Sequence, residues 1–328
     1  MRWIAVCLAV GAAHGVITTL MPRENEQIVG QLRVVRRDGT DVLLLGDSVT
    51  LTTSYSDTDT RTLGEMVTAR LSPCRTTLTA GSSYHAELFE QIGRFVSAGA
   101  APPKVVVVPI NLRAFTTSAV FHPGWRRWLL QRMLRADSRL YEAASRPLEI
   151  FRWYEGTEGS VEEYFASPVY DGDRAVSTIG QLGVIGPDLR YIEPGTPLMV
   201  RSAVLMHYLQ RITPADERVQ AAVRLARALK SAGIKSVFYV TPVDWMASSS
   251  LLGPRVTDRI RENARTISDA LGREGARVRD WSVVMDDTVF SWRTYPNEHL
   301  KDAGRLRLAD RLASAVCEEL GSGSCCGS

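Results

Sequence analysis

Beyond its opening stretch, the 328-residue sequence has no run long and apolar enough to span a bilayer. Its five cysteines (Cys7, Cys74, Cys317, Cys325 and Cys326) form no C-x-x-C pair and no Cys/His ligand spacing, which argues against a zinc centre. Net charge is scarce. The 39 Lys and Arg against 36 Asp and Glu leave +3, with the signs interleaved, too weak a field to mark a nucleic-acid surface. No internal repeat is visible, which argues against solenoids and propellers. G-x-S-x-G is absent, and with it the nucleophile elbow of α/β-hydrolases. What is present, 45% hydrophobic and 23% charged residues, is the composition of a globular chain with ample length for a large core.

The rest is organised around Val42-Leu43-Leu44-Leu45-Gly46-Asp47-Ser48. An apolar run that stops abruptly at Gly-Asp-Ser reads as a buried strand whose carboxyl end turns sharply and presents a hydroxyl. Ligands of open α/β sheets sit outside the carboxyl ends of the strands, so Ser48 stands where a nucleophile works. Further strands are expected at Thr76–Ala80, at Val105–Val108 (a β-branched run typical of a strand buried on both faces), at Ile234–Val240 and at Ala276–Trp281. Amphipathic helices are expected at about 62–71, 86–97, 214–232, 254–273 and 302–319, with Gly233 as a helix stop. This alternation predicts an α/β fold: a flavodoxin-like three-layer α/β/α architecture with a central parallel sheet.

Residues 1–21 carry one basic residue and a short apolar run with small residues at Ala12-Ala13, the outline of a signal peptide or membrane anchor. The expected localisation is therefore exported: periplasmic, extracellular or membrane-anchored; the alternative is a cytoplasmic protein whose first helix or strand is this stretch, buried. The polar stretch 22–40 reads as a linker, and 41–319 as one catalytic domain. Residues 115–215 break the rhythm with aromatics such as Phe121, Trp125, Trp128 and Trp153, and read as a mostly helical insertion placed over the strand ends. Residues 320–328 read as a flexible Gly/Ser tail. Cys74 and Cys317 are able to pair in an oxidising compartment, but spacing does not decide it.

Several pieces, taken in order, resemble the SGNH/GDSL hydrolase superfamily. Gly46-Asp47-Ser48 follows a hydrophobic strand. Gly81 and Asn111 follow the next two strands. His299-Leu300-Lys301-Asp302-Ala303-Gly304 opens the last helix. The resemblance covers about 41–113 and 234–319. It implies a serine acyl hydrolase in which Ser48 is the nucleophile and His299 the base. It also implies an oxyanion hole built from the Ser48 and Gly81 amides and the Asn111 side chain. Two positions depart from the family pattern: Pro109 where a glycine is usual, and Pro296 where the family places the aspartate that orients the histidine. Glu298 is the nearest substitute; Asp244, Asp286 and Asp287 are others.

No cofactor and no metal is implied, although the loop acids Asp57 and Asp59 leave a metal site open. Asp47 reads as a cap for the turn behind it. Arg113 is a candidate for binding an anionic substrate group, with ordinary ion pairing as the plainer role. The expected partner is a small-molecule or glycan ester: a small acyl group, acetyl the first choice, on an oxygen of a polysaccharide or cell-envelope glycan. An O-acyltransferase using the same two residues is the second reading. A non-catalytic binding or assembly protein with a degenerate site is the third.

Overall fold

The computed structural model describes residues 24–54, 57–82, 84–116, 124–145, 204–291 and 297–321. Its elements alternate as expected. In chain order they are α1 (Glu24–Asp38), β1 (Val42–Gly46), α2 (Ser48–Leu51), α3 (Leu63–Arg70), β2 (Thr76–Ala80), α4 (Ala86–Ser97) and β3 (Val105–Ile110). There follow α5 (Gly124–Ala136), α6 (Arg139–Ser145), α7 (Glu217–Ser231), β4 (Lys235–Val240), α8 (Trp245–Leu252), α9 (Arg255–Gly272), β5 (Arg277–Asp280) and α10 (Asp302–Leu320). The five strands form one parallel sheet in the order β2-β1-β3-β4-β5.

Side chains alternate across that sheet and divide the core in two. Leu43, Leu45, Val106, Val108, Phe238 and Val240 face the layer of α1, α4, α7 and α9. Val42, Leu44, Val105, Val107, Val237 and Tyr239 face α3 and α10. This is the three-layer α/β/α architecture. Its strand order reverses between β1 and β3, so the crevice at their carboxyl ends is the natural ligand position.

The segment 22–40, expected as a linker, is mostly helix. α1 buries Val29, Leu32 and Val35 in the larger core. These residues recur at three-residue spacing beneath a run of charges that dominates the composition, so the apolar stripe was overlooked. Arg33 of α1 also pairs with the buried Glu142 of α6.

Of the insertion, α5, α6 and a π-helical turn at Leu205–Leu209 are described, and Phe115 is buried in the core. Residues 117–123 and 146–203, with the aromatics Phe121 and Trp153, lie outside the described residues, as does most of the tail. The expected leader 1–21 also lies outside them. Among the described residues no helix is long and apolar enough to cross a membrane.

Cys74, just beyond α3, and Cys317 of α10 are both disulfide-bonded. Both belong to the smaller core, which places the bond between these two helices. A cross-link closing so long a loop restricts the unfolded chain strongly. Replacing both cysteines by serine is expected to lower stability by about 2–5 kcal/mol. Denaturant unfolding of the wild type and of the double variant measures it, and equal midpoints would refute it.

Candidate active site

β1 ends at Gly46, and the chain turns at once into α2. A side chain at Gly46 would place its Cβ 2.6 Å from the Thr50 side chain, so only glycine permits the turn. Asp47 caps α2, as the sequence suggests: its Oδ1 accepts the Val49 amide at 2.9 Å. Ser48, the first helical residue, is thereby lifted to the end of the sheet and remains partly exposed.

His299 arrives from the other end of the chain. Its loop is held on both sides. The His299 amide donates to Asn297 Oδ1 at 2.8 Å, and its carbonyl accepts the Ser291 amide at 2.8 Å. A bridge pairs Phe290 with Leu300. Gly304 then passes the Val289 carbonyl so closely that a Cβ there would sit 2.9 Å from the oxygen, which explains the glycine of the histidine motif. These constraints bring His299 Nε2 to 3.3 Å from Ser48 Oγ. At that separation a hydroxyl and an imidazole nitrogen are within hydrogen-bond reach of each other.

Asn111, just beyond β3, is buried beside Asp47. Its Nδ2 donates to Asp47 Oδ2 at 3.0 Å, and its Oδ1 accepts the Arg113 amide at 3.2 Å. An amide N–H only donates and a carboxylate accepts, so these two partners set the orientation of the side-chain amide. Burial pushes the Asp47 carboxyl above its usual range, against the Asn111 hydrogen bond, the Arg113 charge and the Val49 amide.

Gly81, Glu298 and Arg113 each have identifiable partners in the structure. The Gly81 amide, expected in the oxyanion hole, donates instead to the Gly46 carbonyl at 3.3 Å, because the β1–β2 ladder continues one residue past the strand. Gly81 has a packing reason to be glycine, since a Cβ would lie 2.4 Å from the Tyr84 ring. Glu298, expected to orient His299, is fully buried with other partners. Its Oε1 accepts from the Tyr208 hydroxyl at 2.7 Å, and its Oε2 lies 3.3 Å from an Arg113 guanidinium nitrogen. Arg113 thus takes the plainer of its two expected roles, an ion pair. Burial raises the Glu298 carboxyl, while Arg113 and then Tyr208 pull it back.

The other acids expected as alternatives have structural work. Asp244 caps α8 by accepting the Ala247 amide, and its own amide donates to the Asn297 carbonyl. Asp286 caps the 3₁₀ turn Asp287–Val289. Position 296 lies outside the described residues. Among the described residues no group of three or more His, Cys, Asp or Glu side chains is placed to hold a metal ion. Asn297 and Tyr208 were not singled out in the sequence. The only signal for Asn297 is an amide side chain two residues before the histidine, the spacing of an Asx turn.

Burial, and secondly the positive Arg113, depress the His299 imidazole to about 3. The neutral, proton-accepting form is therefore populated throughout the ordinary working range. The neutral form exists above the depressed value and is lost only as pH falls through it. With an acetyl ester as substrate, kcat/KM is expected to hold from neutral pH down to about pH 5, rather than halving near the free-histidine value of about 6.5. An acid limb centred near that free value would contradict the burial.

No protein-family model matches the chain, and no curated protein matches it. Among solved structures, a catalytic mutant of Axe2, an acetylxylan esterase from Geobacillus stearothermophilus, is 11% identical, with a TM-score of 0.40 over 85% of this chain and 94% of that one. A second mutant of the same protein, described as an acetyl-xylooligosaccharide esterase, is 12% identical at TM-score 0.41, with the same coverage. Similarity at this level assigns neither a family nor an activity.

Proposed function

We propose that this protein is a serine hydrolase that cleaves a small acyl group from an oxygen ester. The observation that carries the reading is the 3.3 Å approach of His299 Nε2 to Ser48 Oγ, at the carboxyl end of β1 beside the reversal of strand order. His299, held neutral, takes the hydroxyl proton as Oγ attacks the ester carbon. It returns that proton to the leaving alkoxide, and water then releases the acyl group by the same two steps. Asn111 supports the oxyanion through the second Nδ2 hydrogen, since the described bond to Asp47 uses only one. Ser48's own amide is the second donor.

Acetyl esters of glycans are the substrate class we favour, on the resemblance in the motifs and the aromatic content of 115–215. Export fits the disulfide-bonded Cys74 and Cys317, because such bonds persist in oxidising compartments. The acyltransferase reading uses the same Ser48 and His299, with an acceptor hydroxyl in place of water.

Hydrolysis of p-nitrophenyl acetate by the full chain, beside Ser48→Ala and His299→Ala, tests the reading. Turnover absent from both variants supports it; equal rates in all three proteins overturn it. Adding a glycan alcohol separates the transferase, which would divert acetyl from water to that acceptor.

A further inference from the structure

Ser48 and His299 are 251 residues apart in the chain, and their register has to be imposed by something other than local geometry. The largest fully buried side chain among the described residues is a cation, Arg305, six positions beyond His299 and wholly enclosed. Its contacts reach the loop that leads away from Ser48. Nη1 donates to Asp57 Oδ2 at 2.6 Å, Nη2 to the Asp59 carbonyl at 2.6 Å and Nε to the Arg61 carbonyl at 3.0 Å. Nη1 also donates to the Leu300 carbonyl at 2.9 Å, directly behind the histidine.

The fastening is reciprocal. Asp57 Oδ1 accepts the Asp302 amide at 3.2 Å, while Asp302 Oδ2 accepts the Thr58 and Asp59 amides at 2.9 and 3.2 Å. Asp57 also accepts the Ser54 amide at 2.6 Å, and its side chain is 1% exposed. The loop acids noted in the sequence are thus spent on arginine and backbone.

A buried ion pair adds little to stability once the cost of desolvation is met, so stability alone is a poor reason for this one. Directional geometry is a better reason. A planar guanidinium with four aligned acceptors sets distance and angle together, which no apolar contact does. We infer that Arg305, paired with Asp57 and seconded by the bonds of Asp302 to the same loop, is a positioning residue that holds the His299 loop against the Ser48 loop and sets the separation of the two reacting groups. The inference rests on the reading of Ser48 and His299 as nucleophile and base. A misplacement of about 1 Å between such groups costs about a hundredfold in rate.

The test uses the full chain. Asp57→Asn keeps volume but removes the charge and one acceptor opposite Arg305. Asp302→Ala, at a more exposed position, frees the loop amides and leaves the ion pair intact, so it remains informative should Asp57→Asn fail to fold. Expected are a fall in kcat for p-nitrophenyl acetate of about ten- to a hundredfold for Asp57→Asn, a smaller fall for Asp302→Ala, and KM within about twofold in both. The ¹⁵N resonances of the His299 ring are expected to move in both variants, since the imidazole leaves its place beside Ser48. Folded variants with unchanged kcat and unchanged ring resonances would overturn the inference. Failure of the underlying reading looks different: wild-type turnover would equal that of Ser48→Ala, and the ring resonances would still report whether the clamp places the imidazole.

Discussion

Ser48→Ala is expected to reduce turnover of an acetyl ester by on the order of 10⁴-fold or more, leaving only background hydrolysis. Alanine removes the oxygen proposed to attack the acyl carbon and leaves the turn intact, because Asp47 still caps α2 through the Val49 amide. The fold should be unaffected: Ser48 is partly exposed, and its side chain bonds to His299 rather than to the core. His299→Ala removes the base and is expected to cost a similar factor. The double variant should lose no more than either single one, because a proposed nucleophile and its base act as one unit. Steady-state kinetics on the three variants, with thermal unfolding as the control, measures this. Additive losses would mean that the two side chains work separately.

Asn111→Ala is expected to lower kcat by about a hundred- to a thousandfold with little change in KM. The loss falls on kcat because the oxyanion exists only in the transition state and the intermediate, so a donor aimed at it does not improve ground-state binding. Asn111 has a second task, the bond to Asp47 Oδ2, and alanine leaves that buried carboxylate without this donor. Some loss of stability is therefore expected alongside, about 1–3 kcal/mol. Kinetics and unfolding on the same preparation separate the two effects. A stability loss with unchanged kcat would reduce Asn111 to a support for the Ser48 turn.

Much of the framework was legible because parallel strands buried on both faces leave nearly continuous apolar runs. Leu43–Leu45 and Val105–Val108 are such runs, and each ends where the structure places Ser48 or Asn111. Helix boundaries followed from local chemistry too: Thr62 and Glu65 form a capping box at the start of α3, and Gly233 takes a positive φ just after α7.

What was not legible is mostly long-range. The Tyr208–Glu298 and Arg305–Asp57 contacts join residues 90 and 248 positions apart, and periodicity reports only neighbours within a turn or two. Glu298 sits next to His299 in sequence, yet its carboxylate meets Tyr208 and Arg113. Gly81 lies at the expected strand end, but whether its amide continues the ladder or faces substrate is a matter of one residue of register. α1 was hidden by its charges, which describe its solvent face and not the Val29, Leu32 and Val35 stripe beneath.

The central claim is that Ser48 carries the acyl group. The most direct measurement is mass spectrometry of the protein acid-quenched during turnover of p-nitrophenyl acetate, followed by peptide mapping. One acetyl group on Ser48 in the wild type, absent from Ser48→Ala, is the expected result. Turnover with no acetyl on Ser48, or with the acetyl on another side chain, would contradict the account.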